Sequence, residues 1–218
     1  MTDSRQSDPH AVPLHEIYLE ELRTHAVELI RMGYARIPSA SFASTEEDDI
    51  TDKLVQAMRD VKNDSESPEW ADFYEVHEQR PQNVAGKSGK RRPKMDIEFE
   101  RNERGRRPRL GFEAKRLGGR HASNGYLGEE GLAAFLAGYY PTSHGEAGML
   151  GYIQKNSVRS WSEKLSTELT RDSELHRFVD WYDKTQFDAT ARVSHFDSQH
   201  TTRTGDPLRM IHLLLAFY

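Results

Sequence analysis

Asp96, Glu113 and Lys115 lie within one 24-residue stretch, KMDIEFERNERGRRPRLGFEAKRL (residues 94–117), on two short apolar runs joined by an arginine-rich turn. Two carboxylates brought close together repel unless a cation neutralises them. Oxygen donors with few histidines nearby suit Mg2+ or Mn2+ better than zinc. A lysine two residues from one of those carboxylates, on the same strand face, can approach an attacking water or a developing negative charge. With a basic rim, these are the parts of metal-assisted phosphodiester hydrolysis.

The two runs alternate with the period of a strand. Met95, Ile97 and Phe99 are expected to face one way and Asp96, Glu98 and Glu100 the other. In the second run Leu110, Phe112 and Ala114 alternate with Gly111, Glu113 and Lys115. Antiparallel pairing through residues 101–108 then sets Asp96, Glu113 and Lys115 on a common face, with the opposite face in the core. Glu98 and Glu100 read either as a solvated strand edge or, since Glu98 shares the face of Asp96, with Glu98 assisting at the metal.

This pattern resembles the signature of the PD-(D/E)XK nuclease superfamily, the restriction-endonuclease-like fold. The match consists of Asp96, a hairpin, then Glu113-Ala114-Lys115, with an acidic helix before and another helix after, over roughly residues 45–160. Met95 stands where the signature carries proline, and the nearest proline is Pro93. The resemblance implies that Asp96 and Glu113 hold the divalent metal, with the Ala114 carbonyl as a further ligand. It implies that Lys115 positions or helps activate water and offsets transition-state charge. An acid on the upstream helix completes the set: Glu47 is the choice, with Glu46 and, on the first strand, Glu75 as alternatives. Gln154 occupies a place where some members use a supporting polar residue.

The elements that must position these residues can be read along the chain. Residues 1–12 are expected to be disordered and residues 13–218 to form a single domain. Leu14 to about Met32 has helical spacing. A second helix, capped by Ser44 or Thr45, opens with acids 46–49 and carries the stripe Ile50, Leu54, Met58, Val61. FYEVHEQ (73–79) reads as a first strand, followed by the two strands above. GEEGLAAFLAGYY (128–140) reads as a helix, GMLGYIQ (148–154) as a buried strand, SVRSWSEKLSTEL (157–169) as a helix, and ATARVSHFDSQ and LRMIHLLLAFY as two strands. The class expected is α/β, with a mixed central sheet flanked by helices and an N-terminal helix.

The chain has 218 residues, 30% of them charged, a net charge of −5 and no cysteine, which excludes disulfides, thiolate zinc sites and cysteine nucleophiles. No run approaches the ~20 apolar residues of a membrane span, the start has no apolar signal segment, and a cytoplasmic setting with no membrane partner is the expectation. Residues 86–120 hold thirteen lysines and arginines against five acids. This local excess in an acidic chain suggests contact with a polyanion, which the nuclease resemblance implies is DNA; charge alone reads equally as a solvated hairpin. Lys87, Lys90, Arg91, Arg92 and Lys94 precede the Asp96 strand, and Arg104, Arg106, Arg107 and Arg109 fill the hairpin. Such phosphate contacts give affinity without reading bases. With no base-reading module in the sequence, target recognition is expected from a homo-oligomer or a partner subunit.

GKS at 86–88 lacks the first glycine of a phosphate-binding loop, HEQRP lacks the second histidine of a zinc helix, and no G-x-S-x-G is present. His144, His176, His195 and His200 read as surface or packing residues, and Trp70, Trp161 and Trp181 as core or interface. The reading that follows is a magnesium-dependent DNA endonuclease, by analogy a subunit of a restriction or anti-phage defence system. Its alternatives are an inactive nucleic-acid-binding or partner-binding protein of the same fold, and an RNase.

Overall fold

The computed structural model describes residues 14–84, 86, 88–102, 107–119, 122–171, 176–181 and 192–218. The expected disordered N-terminus and the basic residues Lys87, Arg104 and Arg106 lie outside the described residues, as do the side chains of Arg91, His176 and Trp181.

The chain runs α1 (Leu14–Ala35), α2 (Glu47–Lys62), β1 (Tyr74–Pro81), β2 (Lys94–Arg101), β3 (Arg109–Leu117), α3 (Ala122–Leu127), α4 (Leu132–Leu136), β4 (Glu146–Ile153), α5 (Val158–Arg171), β5 (His176–Trp181), β6 (Val193–Thr201) and β7 (Pro207–Ala216). One mixed sheet takes the order β1-β2-β3-β4-β7-β6-β5. The β1–β2 and β2–β3 pairs are antiparallel, β3–β4 and β4–β7 parallel, and β7–β6 and β6–β5 antiparallel. The expected α/β class with a mixed sheet and an N-terminal helix is observed. Among the described residues no helix is long and apolar enough to cross a membrane.

Strands β4 and β7 are largely apolar because both of their faces are covered, Glu146, Arg209 and His212 being the exceptions. On one side Leu150, Tyr152, Ile211, Leu213 and Leu215 join Ile97, Phe99 and Phe112 beneath α1 and α2. On the other, Met149, Ile153, Met210 and Leu214 pack with Trp161, Leu165 and Leu169 of α5. The stripe Ile50, Leu54, Met58 and Val61 of α2 is fully buried. Each such side chain stabilises by roughly 1.5–3 kcal/mol, more than any exposed ion pair at the helix start can offer. Packing therefore fixes α2, and with it Glu47, on the sheet.

Three expectations are corrected. Helix α2 begins one residue after Glu46, which takes the N-cap position without a side-chain capping bond, so neither Ser44 nor Thr45 caps it. Residues 128–140 are not one helix: only Leu132–Leu136 (α4) is helical, and residues 128–131 form a turn that separates it from α3. A Cβ at Gly131 would lie 2.1 Å from the Tyr126 carbonyl oxygen, a closeness only glycine permits. Finally, Met95 does not share a face with Ile97 and Phe99. It belongs to the opposite core, beside Leu117 and Met149.

Candidate active site at the opening between β2 and β3

The change of face at Met95 marks a break in the sheet. The β2–β3 ladder runs from Glu100↔Arg109 to Ile97↔Phe112 and stops, while β3 continues to Leu117 paired with β4 alone. In the β1–β2 ladder the pair Gln79 and Asp96 is skipped, and Gln79 has a φ of +48°, rare for a residue with a side chain. The chain of β2 thus turns at Asp96 and leaves an edge of β3 open.

Buried backbone amides need acceptors, and carboxylates supply them at this edge. The Ala114 N–H donates to Asp96 Oδ2 at 2.8 Å. Two residues on, the Arg116 N–H donates to Glu47 Oε2 at 2.8 Å. Lys115 Nζ lies 2.9 Å from Glu113 Oε1 and 3.1 Å from Glu47 Oε1. Gln79 Nε2 donates to Asp96 Oδ1 at 2.8 Å. Asp96, Glu113, Lys115 and Glu47 therefore meet at one place, drawn from β2, β3 and the first turn of α2. Of the three candidate upstream acids, Glu47 is the one beside Lys115. Glu46 instead pairs with the Arg116 guanidinium at 2.7 Å, and Glu75 is exposed on β1, accepting from Asn102.

Gln154 stands behind this arrangement. Its amide donates to the carbonyls of Phe42 and Thr45, at 2.9 and 2.7 Å, and so ties the start of α2 to the end of β4. Glu98 lies elsewhere: its oxygens meet Arg80 at 2.9 Å and Gln82 at 2.8 Å.

Burial sets the electrostatics. Glu113 is 4% exposed, and its carboxyl is pushed up to about 8 by desolvation and then by Asp96, against the pull of Lys115. Burial also raises Asp96, although the Ala114 N–H and Lys115 oppose it. Burial alone would lower Lys115, but Glu113 and Glu47 outweigh it and hold the ammonium above its usual value. The Tyr140 phenol lies beside Glu113 and is raised by burial and by that carboxyl.

Among the described residues no three His, Asp or Glu side chains are gathered as a ready-made metal group. The donors at hand are nonetheless all hard oxygens. Glu113 Oε2 is buried and has no hydrogen-bond partner. In an extended strand one residue's N–H and C=O lie on the same edge, so the Ala114 carbonyl belongs to the open side where Asp96 sits. Asp96, Glu113 and Ala114 fit a hard divalent cation by donor chemistry.

Sequence reasoning missed Gln79, Arg116 and Tyr140. Arg116 adjoins the E-x-K triplet and was within reach of inspection; for Gln79 and Tyr140 no local pattern exists. Of the basic residues expected to meet DNA, Lys90, Lys94 and Arg107 are exposed, Arg92 and Arg109 half-buried. Comparison with known proteins gives no match, whether among family models, curated proteins or solved structures.

Proposed function

We infer that the chain is a metal-dependent DNA endonuclease of restriction-endonuclease-like architecture. The observation that carries this reading is the convergence of Asp96, Glu113, Lys115 and Glu47 at a broken β2–β3 pairing. A meander of three antiparallel strands leading into a parallel β4 agrees with it.

Asp96 and Glu113, with the Ala114 carbonyl, would hold Mg2+ or Mn2+. A cation held there neutralises the paired carboxylates and offers positive charge to a phosphate oxygen. Lys115 brings a compact ammonium to the same edge, where it orients a water by hydrogen bonding and stabilises negative charge as the phosphorus–oxygen bond breaks. Glu47 keeps that ammonium in place, and its other oxygen is fixed by the Arg116 N–H, so the lysine is preorganised. Gln79 and the Ala114 N–H orient Asp96.

A second reading, a nucleic-acid-binding protein without catalysis, draws on the same geometry: both Asp96 oxygens and the Lys115 ammonium already have protein partners. The two are separated by incubating supercoiled plasmid, and separately a single-stranded RNA, with the protein in Mg2+ and in chelator. Nicking of plasmid in Mg2+ alone supports the endonuclease, RNA cleavage alone makes it an RNase, and intact substrates under all conditions favour the binding protein.

A further inference from the structure

The face of β1–β3 turned away from α1 and α2 carries, besides Met95 and Leu117, a group of charged side chains. By register His77 opposes Glu98 and Glu75 opposes Glu100, while across the next ladder Glu98 opposes Gly111 and Glu100 opposes Arg109. Helix α3 packs on β3 and α5 on β5, β6 and β7.

Glu98 and Glu100 are 3% and 4% exposed. Burying two carboxylates needs counter-charges and hydrogen bonds, and arginines supply them. Arg80 bridges both acids. Arg109 reaches Glu100 at 3.5 Å and Glu98 at 4.0 Å, and Arg107 reaches Glu100 at 3.5 Å. His77 adds a contact to Glu100 at 3.4 Å. Three guanidiniums thus face two carboxylates. Despite burial, these cations hold the Glu100 carboxyl below its usual range.

The guanidiniums are anchored from beneath and open above. Their side chains remain 29% (Arg80), 42% (Arg109) and 52% (Arg107) exposed. Each carries five N–H donors, more than two carboxylates can accept. Beside them lies a cleft of about 530 Å3, lined by Arg80, Arg92 and Arg109, by Asn83 and Thr142, and by the carboxylates of Glu98 and Glu146. Arg92 donates to Asn83 Oδ1 at 3.1 Å, and its buried Nε has no partner. Met95 and Gly111 also line it, and a Cβ at Gly111 would come within 2.9 Å of the Met95 side chain.

We propose that this cleft binds the phosphodiester backbone of a nucleic-acid strand, with Arg80, Arg92 and Arg109 taking phosphate oxygens. Glu98 and Glu100 act through the arginines as positioning residues. Planar guanidiniums present parallel N–H donors that pair bidentately with a phosphate, and here they already pair with carboxylates. Gly111 and Glu113 are two residues apart on one face of β3, roughly 7 Å along the strand. A strand seated in the cleft therefore leads a neighbouring phosphate toward Asp96 and Glu113. That last link rests on the endonuclease reading; the binding itself does not.

The test is equilibrium binding of fluorescein-labelled DNA and RNA 20-mers in chelator, across a salt series, so that no cleavage intervenes. The folding of each variant is checked by thermal melting. Arg80→Ala and Arg109→Ala are each expected to weaken binding about tenfold or more and to reduce the log–log salt slope by about one. Arg159→Ala, the same charge change on α5, is expected to leave binding unaltered. Glu98→Gln is the discriminating variant: it removes a negative charge, yet binding is expected to weaken severalfold because Arg80 and Arg109 lose their anchor. Tighter binding by Glu98→Gln, or wild-type binding by Arg109→Ala, overturns the proposal. Should Glu98→Gln fail to fold, Arg109→Ala, at a half-exposed position, carries the decision. Binding with these arginine effects but no plasmid nicking in Mg2+ would defeat the endonuclease reading and leave the phosphate cleft standing. The DNA and RNA arms identify which backbone the cleft prefers.

Discussion

Glu47 and Lys115, 68 positions apart in the chain, meet at 3.1 Å across the contact between α2 and β3. The same Glu47 accepts the backbone N–H of Arg116 through its second oxygen. One carboxylate thus closes an open strand edge and holds the lysine beside Glu113. Glu47→Ala should therefore do two things at once. It leaves the Arg116 amide without its acceptor, at a cost of about 1–3 kcal/mol, and it frees the Lys115 ammonium. Urea unfolding should register the first effect and a slower Mg2+-dependent nicking rate the second. Glu47→Gln, which keeps an acceptor, should recover most of the stability but not the rate.

Gln79 holds a positive φ opposite Asp96 and donates to its Oδ1. Strain of this kind costs on the order of 1–3 kcal/mol and persists where surroundings enforce it. Gln79→Gly removes both the strain and the hydrogen bond. The expected outcome is a protein at least as stable as wild type in urea, with cleavage slowed severalfold because Asp96 loses a donor. Gln79→Ala keeps the strain and should lose on both measures.

The stability of the metal-free protein should depend on pH in two opposing ways. Glu113 has its folded pKa raised to about 8, so its stabilising contribution is complete below about 4.5 and is lost as pH rises toward 8. His212 is fully buried, hydrogen-bonded to Tyr126 and Ser198, and lowered well below 6.5 by burial and by His200. Its contribution is complete above ~6.5 and is lost as pH falls. Each limb changes by at most about 1.4 kcal/mol per pH unit. Urea titrations from pH 5 to 9 should therefore show stability falling as pH rises above ~6.5, with Glu113→Gln removing that alkaline limb. Added Mg2+ should flatten it too, since a bound cation stabilises the ionised carboxylate. Stability that rises steadily from pH 6.5 to 8.5 in the wild type would contradict this assignment.

Much of this architecture was legible because half-buried strands alternate. Ile97, Phe99, Leu110 and Phe112 fixed two neighbouring strands, and the α2 stripe fixed the helix that carries Glu47. Alternation also misled at one point. It assumes an unbroken pleat, so it put Met95 with Ile97, whereas the chain turns at Asp96. That turn depends on Gln79 across the ladder and on a missing pairing partner for Ala114, neither of which a local pattern encodes. Facing away from one core, Glu98 and Glu100 read in the sequence as a solvated strand edge. Asp96, Glu98, Glu100 and Glu113 are in fact buried, because arginines and the segment around Tyr140 cover them. Only the tertiary arrangement brings such counter-charges to bear. The glycine-pinched turn between α3 and α4 was likewise masked by a run of good helix formers.

Plasmid nicking titrated with Mg2+ decides whether Lys115 and its carboxylates form a phosphodiesterase centre. Lys115→Ala should cut about 10²–10³ times more slowly than wild type, with DNA affinity in chelator largely retained. Asp96→Ala should abolish cutting and shift the Mg2+ requirement of any residual activity upward. Lys115→Arg should not restore the rate, because a planar guanidinium cannot replace a compact ammonium seated between Glu47 and Glu113. Equal nicking rates for wild type and Lys115→Ala would contradict the account.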